Sequence, residues 1–480
     1  MSEGFMRWET LIKVVWLVIF VLIALLAGCV FFEYKGSAWV YLLFTGLSTV
    51  LLFLGFGRGA IFFDAFIGVL LWIGFWLKFS VQTAFFEGRF NIAVGGFDGG
   101  PESLDKALLV VCCALAAVLL VRLVRERCGF CYPPVLPQIG YVGLFVFYRR
   151  FRGWVLWVFI VGVLLVCAAN AWFGFYQRGQ IARLTLPMGL NGIFTWLLTF
   201  GMASVSAVLL RFEFEINRGR YWVVITLALL EAAFSSISLW SRGMILNGSA
   251  LLYGSVAQFR RSGSMVPLKV SIYAAILFCG LFAFSVYTVN YLRALDFHRL
   301  SEQQQQQQQQ QQVNRLLVEQ TSTLFLDRWV GIEGVMSVVG AESLGFELFK
   351  EALTEKFSAD ENSFYDRSFV ASPYDNSRDD GLHFVSLPGY IAFLFYPGSY
   401  LFLFCAVLLF SILAALVEFL VYRLGGRNLV FCALIAQVIA FRYTSFGYVP
   451  AQSYLLFGSI LLNVLILFFS DRLMRFFHRH

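Results

Sequence analysis

Long apolar runs alternate with short polar connections along most of this 480-residue chain. An apolar run of about 20 residues is long enough to cross a bilayer as a helix. The repetition of such runs predicts an all-α, polytopic integral membrane protein with about twelve transmembrane helices. The eighth run is short and gives the weakest signal. The predicted spans are 10–32, 38–56, 60–84, 107–124, 154–173, 189–210, 221–240, 244–258, 268–292, 398–421, 428–446 and 452–470.

One long polar segment interrupts this pattern and divides the chain into three parts. Residues 1–292 hold the first nine predicted spans, and residues 386–480 hold a short re-entrant piece followed by the last three spans. Between them, residues 293–385 predict a large loop outside the bilayer. From Arg293 to Asp380 this loop has 8 basic and 15 acidic residues, so its net charge is −7, whereas the whole chain has a net charge of +7.

Within the loop, the ten glutamines from Gln303 to Gln312 form a low-complexity tract to which we assign no chemistry. Further on, Phe346, Phe349, Leu353 and Phe357 recur at helical spacing and predict an amphipathic helix. Residues 360–380 are polar and predict an irregular segment.

Composition supports the membrane class, because 59% of the residues are hydrophobic and only 14% are charged. The first span is too long for a signal-peptide core, so we expect it to be retained. The Cys128-Gly129-Phe130-Cys131 spacing lacks a second ligand pair nearby and is best interpreted as a chance pair. No phosphate-binding glycine loop, metal-ligand spacing or nucleic-acid motif is present, so we expect no metal, no cofactor and no nucleic-acid partner.

Basic residues in the short connections predict the orientation, because cytoplasmic loops are enriched in lysine and arginine. With the N-terminus inside, 17 basic residues fall in cytoplasmic connections and 6 in outer ones. This bias predicts that both termini are cytoplasmic and that residues 293–385 lie outside. The cytoplasmic set is Arg58, Arg125, Arg127, Arg149, Arg150, Arg152, Arg211, Arg218, Arg220, Arg260, Arg261, Lys269, Arg423, Arg427, Arg472, Arg475 and Arg479, and the outer set is Lys35, Arg89, Lys106, Arg178, Arg183 and Arg242.

Ionisable residues in or beside the spans carry the functional signal, because charges in the hydrocarbon are costly and mark sites or pathways. In the seventh span, Glu231, Ser235, Ser238 and Arg242 share one helix face. Other cations are expected near the same outer surface: Arg442, Lys78, Arg178, Arg183 and Arg328. Two simpler interpretations stay open. Arg242 alone could reach lipid headgroups, and Glu231 could pair with Arg442 as a structural bridge.

The guanidinium fork of arginine matches phosphate oxygens, and several arginines together suit a pyrophosphate. His383 ends the loop near the membrane, where a neutral imidazole is able to accept a proton from a sugar hydroxyl. A solvated loop histidine is the alternative. An Asp-x-Asp motif is absent from the outer loop, which disfavours a metal-bound nucleotide-sugar donor and leaves a lipid-pyrophosphate donor.

Three short segments carry a family resemblance: Trp240-Ser241-Arg242-Gly243, the segment from Asp327 to Gly334, and Leu382-His383-Phe384-Val385 before Leu387-Pro388-Gly389. Together with the hydropathy pattern, they resemble the bacterial O-antigen or capsule repeat-unit polymerases of the Wzy type, and more distantly the O-antigen ligases. The resemblance implies a GT-C-like helical fold in the bacterial inner membrane. It also implies a metal-independent glycosyltransferase that polymerises undecaprenyl-pyrophosphate-linked oligosaccharide repeat units at the periplasmic face.

The same resemblance implies roles for individual residues. The expected catalytic residues are His383, Arg242 and Arg328, with Arg242, Arg328 and Arg442 holding the donor pyrophosphate. The expected partners are the lipid-linked donor and acceptor, membrane lipid, a chain-length regulator and a flippase. The remaining substrate-binding candidates are Lys78, Arg178, Arg183, Glu231 and the aromatic residues Trp329, Tyr365 and Tyr374.

Three other functions remain as alternatives: a ligase onto lipid A core, a flippase or transporter of lipid-linked oligosaccharides, and a non-catalytic membrane assembly partner. The large outer loop favours an enzyme over a flippase, and the inverted repeats of many transporters are not visible in the sequence.

Overall fold

A computed structural model describes residues 2–86, 88, 94–178, 180–217, 222–241, 243–263, 267–301, 329–356, 361–370, 386–445 and 453–477. These residues are predominantly helical, and no β-sheet occurs among them. The helices are α1 Ser2–Glu33, α2 Ala38–Gly55, α3 Phe62–Leu71, α4 Lys78–Phe85, α5 Pro101–Cys128, α6 Val142–Phe173, α7 Asn191–Trp196, α8 Met202–Asn217, α9 Trp222–Ser238, α10 Met244–Arg261, α11 Leu268–Ser301, α12 Ile332–Val339, α13 Phe346–Thr354, α14 Gly389–Leu394, α15 Tyr400–Leu424, α16 Leu429–Thr444 and α17 Ser453–Phe477. Two π-helical turns, Trp72–Leu77 and Leu197–Gly201, join α3 to α4 and α7 to α8.

Each of the twelve predicted spans overlaps one of these helices, which confirms the all-helical, polytopic class. Within the described residues, nine helical stretches are long and apolar enough to cross a membrane. The helices α9 and α16 are apolar but have only 17 and 16 residues, and α10 carries Asn247, Ser255 and Gln258. The number of spans therefore stays a prediction.

The centre of the bundle is α16. Its 16 residues span about 24 Å at 1.5 Å per residue, which is less than the thickness of a typical hydrocarbon core. All of them except Val438, Phe441 and Arg442 are buried, against α3 and α10 among others. A Cβ atom at Gly254 of α10 would lie 2.7 Å from the Cα atom of Val430, so a glycine lets these two helices approach closely. This short helix is thus surrounded by protein.

The connections between helices gather at two ends of the bundle. At one end, which we call the basic end, the 129–141 connection meets the ends of α10 and α15: Gly140 donates to the Gly426 carbonyl (3.0 Å) and Leu136 to the Arg261 carbonyl (2.9 Å). At the other, the loop end, Arg178 donates to the Leu239 carbonyl at the end of α9 (2.9 Å), α12 and α14 contact α5, and α14 also contacts α15. The membrane side that each end faces stays a prediction.

Buried carboxylates at the basic end have structural partners. Asp64, which has no evident partner in the sequence, pairs with Arg122 at 3.2 Å and with Arg125, and also accepts a hydrogen bond from the Ile61 amide (2.9 Å). Glu418 accepts hydrogen bonds from the first amides of α3, those of Phe62 and Phe63, at 2.8 Å each. A carboxylate at a helix N-terminus is stabilised by free amides and by the helix dipole. We therefore assign both carboxylates to the fold.

The described parts of the long polar segment fold onto the loop end. We call residues 329–356, 361–370 and 386–398 the cap. All eight residues of α12 are buried, and Phe349 of α13 packs its ring at 5.2 Å from those of Phe393 and Phe402. The amphipathic helix is confirmed over 346–354, although its Leu353 is exposed.

Two further predictions concern residues 360–380 and the short piece before the tenth span. Residues 364–370, inside the stretch predicted to be irregular, form a short helical turn that buries Phe364, Tyr365, Phe369 and Val370. That prediction was wrong there because it weighed the polar composition and missed four apolar or aromatic residues at helical spacing. The short piece expected before the tenth span is α14, which is buried throughout.

Candidate functional site

The end of α9 is a turn whose four consecutive carbonyl groups, from Ser238 to Ser241, all accept hydrogen bonds. Trp240 has a φ of 52°, a left-handed conformation that costs a non-glycine residue about 1 kcal/mol or more. Four hydrogen bonds to one turn offset that cost. The Ser238 carbonyl accepts from Asn170 Nδ2 (2.9 Å), and the Leu239 carbonyl accepts from the Arg178 amide (2.9 Å). The Trp240 carbonyl accepts from Arg293 Nη2 (2.6 Å), and the Ser241 carbonyl accepts from Ser236 Oγ. The backbone that leads directly into Arg242 is therefore fixed by α6, α11 and the 174–183 connection.

Four arginines lie around this turn, and we call Arg178, Arg183, Arg293 and Arg442 the arginine cluster. The guanidinium of Arg183 lies 6.0 Å from the Trp240 ring centroid, and that of Arg178 lies 5.8 Å from the Phe441 ring centroid. Arg178 is within electrostatic range of both Arg293 and Arg442. Of the cations that the sequence predicts near one surface, the structure places Arg178, Arg183 and Arg442 around this turn; the first two come from one connection and the third from α16.

In the part of the chain that the structure describes, two of these arginines form no ion pair. Among the described residues, neither Arg178 nor Arg293 has a carboxylate within ion-pair distance; Arg293 instead donates to the carbonyls of Trp240 and Arg178 (3.3 Å). Arg442 donates from Nη2 to Ser453 Oγ at 3.1 Å. Arg293 is exposed, and Arg178 and Arg442 are partly exposed. Guanidinium groups that water reaches in this way are also open to an anionic ligand, and bidentate pairing suits phosphate oxygens.

The polar stripe of α9 faces α6 and is largely used between the two helices. Ser235 donates to Glu231 Oε1 (2.8 Å), and Ser238 donates to the Cys167 carbonyl (2.9 Å) and accepts from Asn170 (3.0 Å). Glu231 is 1% exposed, and its Oε2 has no partner among the described residues. The described contacts of Glu231 do not include Arg442, so the alternative of a structural bridge between them is not supported.

Lys78 lies elsewhere in the loop end. It is fully buried, its ammonium forms an ion pair with Glu333 of α12, and it donates to the Trp329 carbonyl at 3.0 Å. The sequence predicts that Lys78 lies near the outer end of this span; whether the loop end is the outer end stays a prediction. Its partner is a carboxylate of the cap, so we separate it from the arginine cluster.

The two described aromatic candidates differ in exposure. Trp329 is partly exposed at the edge of the cap. Tyr365 is 5% exposed, with its ring 5.9 Å from that of Phe369, and burial raises the pKa of its hydroxyl above the ordinary value. A ring covered in this way offers no free face to a sugar in this structure, so Trp329 is the better platform.

Four predicted site residues, Arg242, Arg328, Tyr374 and His383, lie outside the described residues, as do the glutamines 303–312. Their predicted roles stay predictions. In the part of the chain that the structure covers, no three His, Cys, Asp or Glu side chains are grouped closely enough to hold a metal ion.

The sequence pattern did not single out Arg293 and Asn170, two of the three side chains that donate hydrogen bonds to the Trp240 turn. Both sit near the ends of long apolar runs, where an arginine or asparagine is easily taken for an interfacial residue. The available signal was one polar residue near the loop end of each of two spans. Asn170 lies four residues before Gly174, where the fifth apolar run ends. Arg293 directly follows the ninth predicted span, 268–292.

Comparison of the chain with protein-family models, with curated proteins and with solved structures finds no match. The class rests on the fold itself, which is that of a polytopic helical membrane protein. Within that class, the chain is distinguished by a folded cap and an adjoining arginine cluster at one end of the bundle.

Proposed function

We propose that this protein is a membrane glycosyltransferase that polymerises undecaprenyl-pyrophosphate-linked oligosaccharide repeat units in the bacterial inner membrane. The observation that carries the proposal is the arginine cluster, in which Arg178 and Arg293 lack a carboxylate partner among the described residues. Such a cluster suits a ligand with several anionic oxygens close together, and a pyrophosphate has them. Its position at the end of a helical bundle suits a phosphate group attached to a lipid.

The reaction requires no covalent enzyme intermediate. The acceptor hydroxyl oxygen forms a bond to the anomeric carbon of the donor sugar, while the bond from that carbon to the pyrophosphate breaks and its electron pair leaves with the pyrophosphate. The cluster stabilises the charge that develops on this leaving group. We propose that His383 accepts the hydroxyl proton, with Arg242 and Arg328 adding to the cation set and Trp329 contacting sugar.

The Trp240-Ser241-Arg242-Gly243 segment, one of the three that carry the polymerase resemblance, supports the proposal by its location. Its described residues form the turn around which the cluster is built. The substitution Arg242→Lys keeps the charge but loses the bidentate fork, so we expect it to be nearly as damaging as Arg242→Ala. A residue that only reaches lipid headgroups would tolerate lysine.

The experiment is polymer formation from purified lipid-linked repeat units by the full-length protein in lipid nanodiscs. We expect chain growth by the wild type, its loss in Arg242→Lys, and a decrease of about 10²–10⁴ in rate in His383→Gln, the usual contribution of a general base. A matched control is Arg472→Lys, an exposed arginine near the other end of the bundle.

Normal chain growth by both Arg242→Lys and His383→Gln would reject this site. Transfer to lipid A core without chain growth would identify a ligase. Movement of the lipid-linked unit across the bilayer with no new glycosidic bond would identify a flippase.

A further inference from the structure

The start of the cap is joined to the bundle by a buried ion pair. Lys78 is the first residue after the π-helical turn Trp72–Leu77, and Glu333 lies in the first turn of α12. Their side chains are 0% and 4% exposed, and Lys78 also donates to the Trp329 carbonyl. The pair therefore links the third span to the first turn of α12 and to Trp329, three residues before that helix begins.

Close backbone contacts surround the pair. A Cβ atom at Gly331 would lie 1.7 Å from the Gly74 carbonyl oxygen, and one at Gly334 would lie 2.0 Å from the Pro388 carbonyl oxygen. Neither distance leaves room for a side chain. The N-terminal half of α12 is thus wedged between the turn that precedes Lys78 and the residues that precede α14.

This wedge reaches the helix that carries Arg442. The Cβ position of Gly389 is 2.9 Å from the Thr444 carbonyl oxygen and 3.1 Å from Val330 Cγ1, so these three residues meet at one point. Thr444 lies two residues after Arg442 at the end of α16. Val330, the residue after Trp329, therefore lies at the end of α16.

Stability alone does not account for a buried ion pair here. Replacing such a pair with apolar residues of similar volume is often neutral or stabilising, whereas a buried polar pair is able to fix the register of one element on another. The eight residues of α12 are buried on every side. Because no face of α12 is exposed, its rotation and depth depend on the partners of its few polar side chains, and the partner of Glu333 is Lys78.

We infer that Lys78 and Glu333 are positioning residues that fix the register of α12 in the loop end and thereby place Val330, and with it Trp329, at the end of α16 that carries Arg442. The effect on glycan transfer rests on the proposed function, whereas the register of α12 does not. Separate experiments therefore test the register and the transfer.

The register is measured with a Val330→Cys/Thr444→Cys pair and a short thiol cross-linker, in protein whose exposed native cysteines are replaced. The neutral variant Lys78→Met/Glu333→Leu keeps the packing volume but removes the charges. We expect efficient cross-linking when the two cysteines are introduced into protein that keeps Lys78 and Glu333. The neutral variant should fold with an unchanged thermal midpoint but lose most of the cross-linking. The matched control is Asp471→Leu/Arg475→Met, which removes an ion pair at the basic end and should cross-link like the wild type.

Polymer formation is then measured in the same variants without the added cysteines. We expect the neutral variant to lose chain growth while the control retains it. Full cross-linking or full chain growth in the neutral variant would overturn the positioning role and leave the pair a structural contact. Loss of cross-linking together with no polymer from the wild type would support the register and reject the proposed function.

A second test uses glycine positions that differ only in available space. Gly334→Ala should reduce cross-linking between positions 330 and 444, because the added methyl group meets the Pro388 backbone. Gly345→Ala, in the same cap with no atom within 4 Å of its Cβ position, should not. Equal cross-linking in both would contradict the wedge.

Discussion

Arg293 shows how one side chain controls the geometry of a site through backbone groups. It donates to the carbonyls of Trp240 and Arg178, and so ties the end of α9 to the connection that follows α6. At the scale of single residues, the arginine cluster thus has two roles: it offers charge to a ligand, and it holds the backbone in place. Each role is tested by a different substitution.

The structural role predicts a stability effect. Arg293→Met leaves the carbonyl of the buried Trp240 without its donor, which should lower the free energy of unfolding by about 1–3 kcal/mol. Thermal unfolding in detergent, with Arg472→Met as the exposed control, measures it. An unchanged midpoint in Arg293→Met would show that water replaces the guanidinium without cost.

The pattern of apolar runs predicted the helices because a span must satisfy its backbone hydrogen bonds internally, whatever its neighbours are. It did not predict that α16 is the central helix, since burial in protein and burial in lipid select the same apolar residues. It also missed the partners of Asp64, which come from α5. The cation convergence was predictable from Arg178, Arg183 and Arg442, whereas the assignment of Lys78 to Glu333 required the fold of the cap.

Packing between α10 and α16 gives a prediction at the scale of elements. Alanine is a better helix former than glycine by about 1 kcal/mol, so Gly280→Ala in α11, where no atom lies within 4 Å of the Cβ position, should be neutral or stabilising. Gly254→Ala should instead lower the thermal midpoint, because overpacking of about one methyl group typically costs 1–3 kcal/mol and the Val430 backbone is in the way. A higher midpoint in Gly254→Ala would mean that α10 and α16 are able to separate.

At the scale of the whole molecule, the account requires the loop end to face the periplasm. Cys131 is an exposed native thiol at the basic end, and Ser343 is exposed in the cap. In protein whose other exposed cysteines are replaced, an impermeant thiol reagent should label Ser343→Cys in intact cells and Cys131 only after permeabilisation. The reverse pattern would place the arginine cluster in the cytoplasm and exclude a periplasmic polymerase.

The central claim is that the arginine cluster binds the pyrophosphate of a lipid-linked donor. Binding of undecaprenyl pyrophosphate to the purified full-length protein, compared with undecaprenyl monophosphate, tests it without knowledge of the sugar. The wild type should prefer the pyrophosphate, and Arg178→Gln/Arg442→Gln should weaken its binding by about 10² or more, since each lost charge-assisted contact is worth about 1.5–3 kcal/mol. Equal affinity of the wild type and the double variant for undecaprenyl pyrophosphate would contradict the account.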